Sequence, residues 1–173
     1  MAEDSLTFGI DPGSHTMGYG VITKKGSKLI HIDNGLICAP KKAPLHERLA
    51  FIQSQLRTLL DKFCPKVVSI EDVFVGKNAR AALNLGHARG VALATSAQAG
   101  ADVFAYAPKL VKKTVAGTGR ADKYQVQMMV KTLLGLPEVP AEDAADALAL
   151  AICHCHHSRG AQHLDRLVTR RRR

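Results

Sequence analysis

From Leu6 to Cys38 the chain is written with period two, and at Leu45 it changes to a period near 3.6. Leu6, Phe8 and Ile10 alternate with Thr7, Gly9 and Asp11, and the run stops at Asp11-Pro12-Gly13. Gly18 to Thr23 and Leu29 to Cys38 read as two more strands around a Lys25-Gly26 turn, so three antiparallel strands open the chain. Leu45, Leu49, Ile52, Leu56, Leu59 and Phe63 then recur at spacings of four and three with polar residues between them, the pattern of an amphipathic helix. Lys66 to Glu71 reads as a buried strand, Ala79 to Ala99 as a helix rich in small residues and Val103 to Tyr106 as a fifth strand. Lys109 to Val115 and Lys123 to Leu134 read as helices separated by Gly117-Thr118-Gly119, and Pro140 opens a last helix reaching about His156. Hairpin strands followed by alternating helices and strands predict an α/β fold, a mixed five-stranded sheet flanked by helices.

A chain of 173 residues suits one domain. Its 46% hydrophobic and 23% charged residues exclude a disordered or fibrous body. No run approaches the roughly 20 apolar residues of a membrane helix. The acidic start Met1-Ala2-Glu3-Asp4 lacks the basic head of a signal peptide, which predicts a cytoplasmic location and no membrane partner. The net charge is +9, and residues 159–173 hold six Arg against one Asp, so +5 lies there and +4 in the body. We therefore expect one domain over residues 1–158, a flexible basic tail over 159–173, and a polyanionic partner bound through counter-ion release. The four cysteines, Cys38, Cys64, Cys153 and Cys155, follow no disulfide-scaffold spacing and are expected to be reduced.

The chemistry concentrates in acids. Asp11 closes the first strand out of phase with Phe8 and Ile10, and Glu71 closes the fourth out of phase with Val68 and Ile70. If those strands are neighbours, both carboxylates meet at the carboxyl edge of the sheet, where open α/β sheets bind ligands. Asp143 and Asp146 lie three apart on a helix otherwise built of Ala and Leu, hence buried. Acids in a first helical turn complement the helix dipole, which accounts for Glu142 and in part for Asp143 but less well for Asp146. A carboxylate cluster without an interleaved Arg repels itself unless a divalent cation joins it, and hard oxygen donors select Mg²⁺ or Mn²⁺. Together with a basic surface this suggests two-metal phosphoryl chemistry and a nuclease.

Phe8-Gly9-Ile10-Asp11-Pro12-Gly13-Ser14 with Gly18-Tyr19-Gly20, Ile70-Glu71-Asp72-Val73-Phe74, and Asp143-Ala144-Ala145-Asp146-Ala147-Leu148-Ala149 together resemble the RuvC family of Holliday-junction resolvases. The likeness spans about residues 6 to 157 and includes Lys77-Asn78, Leu85 to Val91, Val111 to Val115 and Gln125 to Val130. It implies an RNase H-like fold, a homodimer, and symmetric metal-dependent cleavage of four-way junction DNA, with two Mg²⁺ ions per site or Mn²⁺ in their place. Position by position, Asp11, Glu71, Asp143 and Asp146 match the family's metal-binding acids. Asp143 stands where some members carry His, and Asp72 where many carry Gln. Phe74 matches an aromatic that inserts at the junction centre, where stacking on a base contributes ~1–3 kcal/mol. Lys112 and Lys123 match lysines at the scissile phosphate, with Lys77, Lys113 and Arg120 as further expected DNA contacts.

Ala82, Gly86, Gly90 and Ala94 recur every four residues and allow close helix packing, either on the chain's own sheet or, as the resemblance implies, across a dimer. Junction-binding and branch-migration proteins of the RuvA and RuvB type are implied as partners, and no small-molecule substrate. Cys153-His154-Cys155-His156-His157 lacks the second cysteine pair of a zinc site. A ribonuclease of RNase H-like fold and a non-catalytic binder of branched DNA stay open as alternatives.

Overall fold

The period-two segment folds as the sequence dictates, into an antiparallel meander of β1 (Leu6–Asp11), β2 (Thr16–Lys25) and β3 (Lys28–Cys38). In this computed structural model the described residues are 6–72 and 79–170, with side chains described as far as Ser158. The chain continues through α1 (Leu45–Phe63), β4 (Val67–Glu71), α2 (Ala79–Gln98), β5 (Asp102–Tyr106), α3 (Pro108–Ala116), α4 (Lys123–Leu134) and α5 (Glu142–Arg170). The sheet order is β3-β2-β1-β4-β5, with β4 parallel to β1 and β5 parallel to β4. Ile10 pairs with Ile70, so Asp11 and Glu71 follow one another off the same edge of adjacent strands.

The two faces of the sheet carry separate cores. Phe8, Ile10, Val21, Val68 and Ile70 point to one side, where Ile52, Leu56 and Leu60 of α1 and Ala92 of α2 cover them. Each fully buried Ile or Leu there contributes roughly 1.5–3 kcal/mol. Ile22 and Tyr106 point to the other side, against Val111 and Val115 of α3, Val126 and Val130 of α4, and the Ala-Leu-Ile face of α5.

On this second face α5 lies on β1 and β2 with backbone against backbone. A side-chain carbon at Gly9 would fall on the carbonyl of Ala147, and one at Gly18 on the carbonyl of Asp143, so only glycine admits the helix at these two points. The Thr7 hydroxyl meets the Cys155 thiol at 3.6 Å further down. In the run 144–153 every residue but the half-buried Asp146 is buried, which is why it consists of Ala, Leu, Ile and Cys around a single acid.

Element ends differ from the sequence expectation in a few places. β2 starts at Thr16 rather than Gly18, because Thr16 pairs with Cys38 and Met17 with Ile37. The last helix does not stop at about His156 but runs to Arg170, through most of the segment expected as a tail. Gly160 alone does not break it, since one helical glycine costs only about 1 kcal/mol relative to Ala. No helix is long and apolar enough to cross a membrane among the described residues.

Candidate active site

Thr7, Gly9 and Asp11 share one phase of β1, and Val67, Ser69 and Glu71 share one phase of β4. Both terminal carboxylates therefore face α5. Asp143 and Asp146 sit in the first two turns of α5, brought over the strand ends by its backbone contact at Gly18. Lys112 comes from α3. Lys123 opens α4, whose start is fixed by a capping box in which the Asp122 carboxylate accepts from the Gln125 N–H and the Gln125 side chain accepts from the Asp122 N–H. Asp11, Glu71, Asp143, Asp146, Lys112 and Lys123 line one cavity of about 300 Å³, walled on its apolar side by Val111, Val126 and Leu150.

The electrostatics follow from that crowding. Burial, then the charges of Asp146, Glu71 and Asp143, push the Asp11 carboxyl up to about 8. Burial and Asp146 raise Glu71 against the opposing pull of Lys112 and Lys123. Burial also raises Asp146, opposed by Lys123. Lys123 is paired with Glu142, which holds its ammonium protonated and raises its pKa. Acids raised by burial and by one another's charge, gathered in a cleft, mark a candidate functional site.

The donor set fits a hard divalent cation, being four carboxylates with no soft ligand among them. Among the described residues, no three His, Cys, Asp or Glu side chains already close on one point as a finished metal site. The four acids share one cavity, in which the charges of neighbouring acids help to raise Asp11, Glu71 and Asp146.

Not every expected residue joins this cavity. Lys113 is exposed on the last turn of α3, and Arg120 is exposed between α3 and α4, so both flank it without lining it. Phe74 and Lys77 lie outside the described residues. On α2, Ala88, Ala92, Thr95 and Ser96 face the sheet, whereas Gly86 and Gly90 look into open space and Leu83 is 60% exposed. The small-residue stripe is therefore not the one that packs on the chain's own sheet. Within the Cys–His run, His154 is buried against Phe104 and shares a 2.8 Å hydrogen bond with the Tyr106 hydroxyl, and the Cys153 thiol donates to Thr114, whereas His156 and His157 are exposed. All four cysteines are free thiols.

Two residues near the site were not singled out from sequence. Glu142 reads as a dipole-complementing acid, yet it holds Lys123. Arg89 of α2 donates from Nε to the Glu71 carbonyl at 3.0 Å and from its terminal nitrogen to the Asp72 carboxylate at 3.3 Å. No local pattern announces either contact, because both join segments 17 or more residues apart.

Comparison with known proteins gives this geometry a family. The model of the family described as "Crossover junction endodeoxyribonuclease RuvC" matches residues 7–154. The protein of that name from Citrifermentans bemidjiense is 51% identical over 151 residues, 87% of this chain and 92% of its own. The one from Rhodopseudomonas palustris is 50% identical over 156 residues, 90% of each chain. A solved structure of Thermus thermophilus RuvC in complex with Holliday junction substrate superposes with a TM-score of 0.84 at 34% identity, covering 91% of this chain and 96% of that one. The mixed sheet with helices on both faces is thus the RNase H-like fold, and the chain belongs to the RuvC family of crossover junction endodeoxyribonucleases.

Proposed function

We propose that this protein resolves four-way DNA junctions in recombination and repair by symmetric phosphodiester hydrolysis, with Asp11, Glu71, Asp143 and Asp146 as its metal-binding carboxylates. The RuvC family is divalent-metal dependent. The observation that carries the reading is the convergence of acids from β1, β4 and α5 on one cavity with Lys112 and Lys123 beside them. Mg²⁺ or Mn²⁺, two ions per site, would be held by these carboxylates and would supply an activated water and charge stabilisation for the leaving oxygen.

The chain's own groups do the rest. Lys112 and Lys123 hold the scissile phosphate and offset its charge, Lys123 exchanging Glu142 for phosphate. Val111, Val126 and Leu150 restrict water at the back of the cavity, so each ionic contact there counts for more than in bulk solvent. Lys77, Lys113 and Arg120 extend the grip along the backbone, and Phe74 stacks at the junction centre. A homodimer formed through the exposed Leu83, Gly86 and Gly90 face of α2 sets two cavities on a two-fold axis, matching two symmetric cuts. Partners of the RuvA and RuvB type present the junction, and the setting is the cytoplasm.

The test is cleavage of a synthetic four-way junction and a matched linear duplex in Mg²⁺, Mn²⁺ or EDTA, with wild type and Glu71→Gln side by side. Paired symmetric nicks on the junction alone, lost in EDTA and in the variant that still binds, are expected. Binding without cleavage in every ion would replace the reading by a non-catalytic binder, and equal cutting of both DNAs by a general nuclease.

A further inference from the structure

β4 ends at Glu71, and the peptide that joins Glu71 to Asp72 leads out of the strand. Its two polar groups are bonded from opposite directions. The Asp72 N–H donates to the Tyr106 carbonyl of β5 at 2.9 Å. The Glu71 carbonyl accepts from Arg89 Nε of α2 at 3.0 Å. Fixing both ends of one peptide plane fixes the backbone torsions on either side of it, and so the direction in which the Glu71 side chain leaves the strand.

We infer that Arg89 is a positioning residue that aims the Glu71 carboxylate into the cavity from the far side of the sheet. Glu71 faces α5, whereas Asp72, one residue on, faces α2, where the Arg89 terminal nitrogen meets its carboxylate at 3.3 Å. Asp72 thus adds no acid to the cavity wall; its charge is set against a guanidinium that is only 20% exposed. Arginine suits the task because one planar fork serves two acceptors at a fixed angle, which a lysine ammonium does not. Arg89 also lies one residue from Gly90 on the helix whose exposed face carries the proposed dimer contact, so assembly and the aim of Glu71 meet on the same helix turn.

The inference rests on the reading of Glu71 as a metal-binding acid, and the experiment separates the two. Arg89→Gln, Arg89→Lys and Asp72→Asn are compared with wild type by amide hydrogen exchange at Asp72, Mn²⁺ binding followed by the free-ion EPR signal, junction affinity in EDTA, and single-turnover cleavage. Losing an outer partner of a metal ligand typically costs roughly 10- to 100-fold in metal affinity or activity. Arg89→Gln is expected to speed exchange at Asp72, weaken Mn²⁺ binding and slow cleavage by that order, with junction affinity within about threefold of wild type. Arg89→Lys, which keeps the charge and one donor, falls between, and Asp72→Asn stays near wild type because the bond to the Glu71 carbonyl survives. Unchanged exchange and Mn²⁺ affinity in both Arg89 variants would overturn the inference, as would a loss of junction affinity equal to the loss of cleavage, which would make Arg89 a DNA contact. If Glu71→Gln cleaves normally, the reading of Glu71 fails, while exchange at Asp72 still reports whether Arg89 holds the strand end.

Discussion

Gly9→Ala tests whether the depth of α5 on the sheet sets the active-site geometry. A methyl carbon at position 9 would stand 1.9 Å from the Ala147 carbonyl oxygen, and real Cβ atoms essentially never approach closer than 3.0 Å, so helix and strand must part by about 1.1 Å. Both neighbours are backbone, and no side chain can swing aside. Overpacking of this kind costs typically ~1–3 kcal/mol. The same shift carries Asp143 and Asp146 away from Asp11 and Glu71, and a misplacement of about 1 Å can cost on the order of 100-fold in rate. We expect Gly9→Ala to bind a four-way junction in EDTA as wild type does, to unfold at a lower temperature, and to cleave roughly 100-fold more slowly in single turnover at saturating metal. Junction affinity and thermal midpoint are read on the same sample, so a folded fraction that binds but does not cut is distinguishable from an unfolded one. Cleavage within threefold of wild type would refute the claim that the glycine contact positions the acids.

Four further outcomes follow from the same geometry. In EDTA the folded state keeps the Asp11 carboxyl protonated up to about 8 while the unfolded chain loses that proton near 3.8. The stabilisation is therefore complete below pH 3.8 and lost as pH rises towards 8, so denaturant midpoints fall over that window and Asp11→Asn flattens the fall. Loading Mg²⁺ at pH 7 should release about one proton, because metal ligation requires the carboxylate; calorimetry in buffers of different ionisation enthalpy measures it, and no release would contradict the raised pKa. Leu83→Glu, at an exposed position on α2, should yield monomers by sedimentation and abolish paired nicks without altering the monomer's fold; an intact dimer would place the contact elsewhere. Removing residues 160–173 should weaken DNA binding and flatten its salt dependence, since each lost phosphate contact lowers the slope by about 0.9, yet leave cleavage intact at saturating protein.

The architecture was legible because period two and period 3.6 are properties of single segments, and here neighbouring segments never contradict one another. The acids were legible too: Asp11 and Glu71 break the apolar phase of their strands, and Asp146 interrupts a helix otherwise fit only for burial. Contacts between distant segments were not. Arg89 sits in a helix of mixed polarity where an arginine needs no explanation, and its two acceptors lie 18 and 17 residues earlier. The strand glycines are harder to read: Gly9 and Gly18 look like ordinary alternation in a strand, yet they are the points at which the backbone of α5 meets the sheet, whereas Gly86 and Gly90 on α2 face open space. The end of the last helix was not legible, because a basic segment that buries no core reads as a tail, although such a composition does not forbid helical backbone.

An acid cluster of this kind opposes its own fold, since each of Asp11, Glu71 and Asp146 has its pKa raised, chiefly by burial. The structure answers with constraints from three directions that do not share residues. Glycine contacts set α5 against β1 and β2, Arg89 steadies the end of β4 from the opposite face, and the Asp122 capping box with the Lys123–Glu142 pair ties the start of α4 to the start of α5. The last of these rests on an exposed ion pair, which contributes about 0–1 kcal/mol, so Lys123 can leave Glu142 for a phosphate at little cost to the fold. The other two bear on backbone and have no such freedom. Loss of either should therefore change metal affinity and rate together, whereas loss of Glu142 should chiefly free Lys123 and strengthen junction binding at low salt, with a smaller effect on the metal side because Glu142 also helps to raise Asp146.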